Sequence, residues 1–167
     1  MTNATTPSRW LWAVDLFLYL ALLGVPLCLG GRGGWGQMLL ITCAAGASLA
    51  WIAGRIAGRI ERYRFSWAEP LLLIGTFWLL LQVVPLPAML LGALSPNHVN
   101  WLPAWTTQGL GTWSTLSLYP AATTAASISV IAVGLLFVVA CQRLRTIEDV
   151  ETMLKAIGLG VAGMAAF

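Results

Sequence analysis

His98 is the side chain of this sequence best suited to acid or base chemistry, because histidine titrates near neutral pH. It lies in a segment, from about Pro85 to Pro120, that has no lysine, arginine, aspartate, glutamate or cysteine and no second histidine. Catalysis by an imidazole needs a second polar group that orients it. We therefore interpret His98 as a loop or interfacial histidine and predict no catalytic residue in this chain.

The three cysteines also lack the surroundings that chemistry requires. Cys28, Cys43 and Cys141 lie inside apolar runs, without Cys-x-x-Cys spacing and without a neighbouring histidine. Zinc sites and disulfide frameworks depend on such spacings. The sequence therefore predicts no metal and no cofactor, and the cysteines are interpreted as small apolar residues.

Asp15 is an acid about one and a half turns into the first apolar run. An acid at membrane depth often marks a functional pathway. Alternatively, Asp15 has only a structural role. It then lies near the cytoplasmic end of its helix, where its negative charge interacts favourably with the positive helix N-terminus, and it pairs with an arginine from the next cytoplasmic turn. We favour the structural interpretation.

A cluster of four arginines follows the second apolar run, with Glu61 as the only acidic residue among them. Basic residues collect in cytoplasmic turns, so the cluster predicts the orientation of the chain, with the N-terminus in the cytoplasm. Alternatively, the cluster binds anionic lipid head groups or the diphosphate of a lipid-linked substrate. Its members are Arg55, Arg59, Arg62 and Arg64.

The composition indicates a membrane protein. Hydrophobic residues make up 59% of the chain, charged residues only 9%, and the mean hydropathy is +0.82. A soluble domain carries about 25% charged residues. The net charge of +3 does not indicate nucleic-acid binding, because the arginines are confined to short turns between apolar runs. We predict an all-α fold, a polytopic transmembrane helical bundle whose partner is the lipid bilayer.

The apolar runs predict four full spans and the start of a fifth. A cytoplasmic tail (1–9) precedes the transmembrane region (10–167), and the segment at about 95–119 is exported. The third span is predicted to be kinked, or divided in two, at Pro85 and Pro87, because the run before them is too short for a bilayer of about 30 Å. The predicted spans are about 10–29, 37–54, 70–94, 120–141 and, incomplete, 147–167.

The fifth helix has two further features. Thr146 and Asp149 have the spacing of a capping box, and Glu151 and Lys155 that of an ion pair along one helix face. Its apolar part, from about Ala156, would rise only about 18 Å. We therefore expect the chain to be the N-terminal piece of a longer protein, with the remaining spans as its partner.

Small residues recur every fourth position along the second span. Such a stripe lets another helix approach closely, because helices associate in lipid through direct contact. The neighbour would be a helix of the same protein or a partner membrane helix, although glycine and alanine are common in such helices in any case. The stripe consists of Gly46, Ala50, Gly54 and Gly58.

The exported segment is rich in aromatic residues. Tryptophan and tyrosine prefer the membrane interface, which is our interpretation of the group. The alternative is a platform on which sugar rings stack. The aromatic residues are Trp101, Trp105, Trp113 and Tyr119.

The motifs LQVVPLP, LSPN, TLSLYPAATTAA and RLRT, in this order with the aromatic segment between the second and the third, resemble the N-terminal part of O-antigen ligases and polymerases. The resemblance covers about residues 66–167. It implies a bacterial cytoplasmic (inner) membrane protein that transfers or polymerises glycans carried on an undecaprenyl-type lipid on the exported face. The catalytic arginine and histidine of that family lie in a large loop that nothing here matches, so no catalytic residue is carried over. The alternative is a small multi-span interaction or assembly protein without catalysis; a transporter is disfavoured.

Overall fold

The computed structural model describes residues 9–28, 34–58, 60, 63–97 and 113–165. Most of these residues are helical, as the sequence predicts. The helices are α1 (Arg9–Tyr19), continued by a π-helical turn (Leu20–Gly24) and by α2 (Val25–Leu27), then α3 (Gly34–Ile56), α4 (Ala68–Leu81), α5 (Ala88–Leu94), α6 (Pro120–Arg143) and α7 (Ile147–Ala165). Two short strands, β1 (Pro85–Pro87) and β2 (Trp113–Thr115), were not predicted.

Within the described residues, three helical stretches are long and apolar enough to cross a membrane: Arg9–Leu27, Gly34–Ile56 and Pro120–Arg143. They correspond to the first, second and fourth predicted spans. Large apolar side chains on them are exposed, for example Leu49 at 66% and Phe137 at 46%. Apolar surface of this extent is suited to lipid rather than to water. The chain is therefore a multi-pass membrane protein.

Four full spans are not confirmed. The third predicted span, at about 70–94, is divided between α4 and α5, with β1 between them. The 14 residues of α4 rise only about 21 Å at 1.5 Å per residue. Pro85 and Pro87 have no N–H, so neither can donate a helical hydrogen bond to the preceding turn. The proline-rich segment thus separates two helices, and α4 is an apolar helix shorter than a bilayer span.

The chain folds as two compact units, one formed by Met1–Ser66 with Ile131–Phe167 and the other by Trp67–Val130. In the first unit, α1 and α3 pack side by side and antiparallel, since Trp10 lies against Gly54 and Phe17 against Gly46. The second half of α6 joins this pair. The core that they enclose consists of Val14, Leu18, Ala47, Ala50 and Val139.

The π-helical turn continues α1 one turn before Pro26. Because proline has no N–H, it cannot donate to the carbonyl four residues earlier. A π turn contains one extra residue and alters the direction of the side chains around it. Leu23, within this turn, packs directly on Gly160 of α7, where any Cβ would collide with it. The turn therefore shapes the surface on which α7 packs.

In the second unit, β1 and β2 form an antiparallel pair with Leu86 opposite Ser114. The backbone N–H of Ser117 donates to the carbonyl of Gln82 at 3.0 Å, which extends the connection to the end of α4. The hydroxyl groups of Ser117 and Thr123 lie 2.6 Å apart, and this contact ties the segment to the first turn of α6. The two segments on either side of residues 88–112 are thereby held together.

Candidate functional site

An ion-pair network connects α1, α6 and α7 within the first unit. The guanidinium group of Arg143, the last residue of α6, donates from Nε to Oδ1 of Asp15 at 2.7 Å and from Nη2 to Oδ2 at 2.9 Å. Its Nη1 donates to Oδ1 of Asp149 at 3.0 Å. One arginine therefore holds two carboxylates, which come from helices far apart in the sequence.

Hydrogen bonds at the start of its own helix also hold Asp149 in place. Its backbone N–H donates to Oγ1 of Thr146 at 3.1 Å, and its Oδ2 accepts from the backbone N–H of Thr146 at 3.2 Å, so the predicted capping box is confirmed. Burial alone would raise the pKa of Asp149, which lies before the apolar part of α7. Hydrogen bonds from Thr146, Arg145 and Arg143 outweigh the burial, and the pKa is lowered. The carboxylate is thus held in its charged form.

These three charged side chains line a polar cavity of about 270 Å³. Its walls also include Tyr19, Thr152 and Met153. Among the described residues that line it, the two aspartates and Arg143 carry a net charge of −1. The cavity can therefore accept hydrogen bonds through carboxylate oxygens, and it favours a positively charged group.

The structural interpretation of Asp15 agrees with this geometry, except for the identity of the arginine. The sequence predicted a partner in the next cytoplasmic turn, which follows the second span. The structure pairs Asp15 with Arg143 instead, 128 residues later in the chain. The reason is that the end of α6 packs beside the start of α1, which no local pattern reveals.

The arginine cluster does not form one site among the described residues. The guanidinium carbon of Arg55 lies 5.3 Å from the ring centroid of Trp51, a cation–π contact, and its Nη1 is buried without a hydrogen-bond partner in the described part of the chain. Arg64 has an exposed side chain. Arg59 and Arg62 lie outside the described residues.

Arg64 is held through its backbone. Its N–H donates to Oε1 of Gln142 at 3.0 Å, and its carbonyl accepts from Nε2 of Gln142 at 2.6 Å. Gln142, only 3% exposed, therefore anchors the segment after α3 to the end of α6. Sequence reasoning missed Gln142, although a lone amide just before the basic turn was the available signal.

Three members of the small-residue stripe lie in the packed part of the first unit. A Cβ on Gly46 would lie 2.6 Å from Cζ of Phe17, and one on Gly54 would lie 2.9 Å from Cβ of Trp10. Ala50 is part of the core. Gly58 lies beyond the end of α3 with φ of +65° and no neighbour within 4 Å, so it ends the helix rather than packing against another.

The aromatic segment falls mostly outside the described residues, which exclude Trp101 and Trp105 as well as His98. Trp113 lies in β2 and Tyr119 just before α6, and they are 62% and 69% exposed. Among the described residues, no three or more histidines, cysteines or acids form a group that could hold a metal ion.

Comparison with protein families, with curated proteins and with solved structures finds no match for this chain. Function is therefore inferred from the residues of the chain itself.

Proposed function

We propose that this chain is part of a bacterial cytoplasmic-membrane protein that transfers or polymerises lipid-linked glycans, with its N-terminus in the cytoplasm. In this proposal the residues of the chain form a membrane scaffold and contribute no catalytic group. The donor is a glycan on an undecaprenyl-type lipid, and the reaction takes place on the exported face.

The observation that supports the proposal best is the arrangement of the motifs that carry the resemblance. LQVVPLP contains β1, and TLSLYPAATTAA begins in β2 and continues into α6. The pairing of Pro85 with Thr115 and the hydrogen bond from Ser117 to Gln82 join the two motifs. Segments that resemble one protein family thus form one structural element, which is expected if the resemblance reflects a common fold.

The alternative, an assembly protein, relied on the small-residue stripe as a surface for a partner helix. Gly46, Ala50 and Gly54 instead pack against side chains of this chain. This contact favours the glycan-transfer proposal over the alternative.

The test is complementation of a strain that lacks the gene, with surface glycan as the readout. Leu86→Pro removes the N–H with which β1 can pair, whereas the matched control Leu86→Ala keeps it. We expect the deletion to abolish surface glycan and to accumulate the lipid-linked precursor. The full reading frame and Leu86→Ala should restore the glycan, and Leu86→Pro should not, at equal protein levels in the membrane. Normal surface glycan in the deletion strain would refute the proposal.

A further inference from the structure

The polar cavity at Asp15, Arg143 and Asp149 opens beside a second, apolar cavity of about 360 Å³. Leu18 and Met153 line both, so the two cavities adjoin within the first unit. Each is close to the lower end of the range for small-molecule sites, about 300–1,000 Å³. Together they form a site with one charged end and one apolar end.

The lining of the apolar cavity follows α6, and we refer to this cavity as the groove. It extends from Ala140 back to Val133, and residues of the π-helical turn, Ala21 and Leu22, form its other wall. Val133 lies ten residues before Arg143, so the groove reaches about 15 Å inward from the ion pair at about 1.5 Å per residue. Because α6 is a candidate span, the charged end lies at the end of the span and the apolar end toward its middle.

This order of chemistry is that of a phospholipid in one leaflet, with its head group at the surface and its acyl chain toward the centre. A water-soluble ligand is not expected here, because the apolar part of the site lies at membrane depth. The charge selects the head group, since the two carboxylates and one guanidinium among the described lining residues leave a net charge of −1. Carboxylate oxygens bind an ammonium group through charge-assisted hydrogen bonds, whereas an anionic head group is repelled.

We propose that this composite site binds a phospholipid with a primary ammonium head group, which lies against Asp15 and Asp149 while one acyl chain occupies the groove between α6 and the π-helical turn. The site includes Arg143 and Leu144 of the motif RLRT. It contains no residue of LQVVPLP or TLSLYPAATTAA, whose pairing supports the glycan-transfer proposal, so the two proposals can fail independently.

The experiment is native mass spectrometry of the purified full chain in detergent, titrated with dioleoyl phosphatidylethanolamine or dioleoyl phosphatidylglycerol. We expect phosphatidylethanolamine to bind about tenfold more tightly. Val133→Trp fills the groove at a position that is 54% exposed and should abolish that binding. Val161→Trp, at a position that is 59% exposed outside both cavities, is the matched control and should bind like the wild type.

A second pair of variants tests the charged end. Asp149→Asn neutralises the lining and should remove the preference between the two lipids, whereas Glu148→Gln, one residue earlier and outside the cavity, should keep it. Equal or tighter binding of phosphatidylglycerol by the wild type would overturn the proposal. So would wild-type binding of phosphatidylethanolamine by a folded Val133→Trp variant.

Discussion

Replacing Arg143 should destabilise this protein more than replacing Asp15, although the two side chains pair with each other. Asp15→Asn leaves Arg143 paired with Asp149 at 3.0 Å. Arg143→Gln leaves two carboxylates facing one cavity without their cation, and like charges in a partly buried site repel each other. The two substitutions differ in cost because Asp15→Asn leaves the arginine with one carboxylate partner, whereas Arg143→Gln leaves both carboxylates without the arginine.

The magnitudes follow from exposure. The side chains of Arg143 and Asp15 are 25% and 29% exposed, so the pair lies between surface pairs and buried pairs in strength. We expect Asp15→Asn to cost about 1 kcal/mol and Arg143→Gln about 3 kcal/mol in free energy of unfolding. The pair of Lys155 with Glu151, 71% and 60% exposed, provides a matched control. Lys155→Gln should cost about 0.5 kcal/mol or less.

The assay is reversible unfolding in mixed detergent micelles, followed by circular dichroism, for the wild type, the three single variants and the double variant Asp15→Asn/Arg143→Gln. The double-mutant cycle should give a coupling energy of about 1–2 kcal/mol between the two residues. Equal losses from Asp15→Asn and Arg143→Gln, or a coupling no larger than the effect of Lys155→Gln, would show that the network does not hold the helices together.

Three further predictions concern other contacts. The pKa of Asp149 is lowered in the folded protein, so this carboxylate stabilises the fold above the pKa that it has in the unfolded chain. That stabilisation is lost as the pH falls through the lowered pKa. Unfolding curves should show this acid dependence in the wild type and lose it in Asp149→Asn. Gly46→Leu should destabilise the protein by about 1–3 kcal/mol or more through overpacking, whereas Gly158→Leu, with no neighbour within 4 Å, should be tolerated in the same unfolding assay. Gln142→Leu leaves a backbone N–H and a carbonyl unpaired and should cost about 1–3 kcal/mol, which faster hydrogen exchange at residues 63–66 would confirm.

Features with a local cause could be predicted from the sequence. Long apolar runs with few charges predicted the helices that can cross a membrane, since a bilayer sets their length. The capping box of Thr146 and Asp149 was predictable because its partners are three residues apart, and the pair of Glu151 and Lys155, at 2.7 Å, because a helix turn brings them together.

Features that depend on which helices are neighbours could not be predicted. The partner of Asp15 and the role of Gln142 are set by contacts 128 and 78 residues apart in the sequence. The strands escaped prediction because three residues are too few to show an alternating pattern. In β1, two of the three are prolines, which strand interiors rarely contain. The site in the first unit depends on the π-helical turn (Leu20–Gly24), which was not predicted from the sequence.

The two prolines of β1 also limit what its outer edge can do. Leu86 is the one residue of β1 with a backbone N–H, and it lies opposite Ser114. In an antiparallel pair, alternate residues direct their backbone groups to opposite edges, so the free edge of β1 has no donor at Pro85 or Pro87. This lack of donors disfavours the addition of a third strand at that edge. The ribbon is protected from β-aggregation by the same residues that end the helix before it.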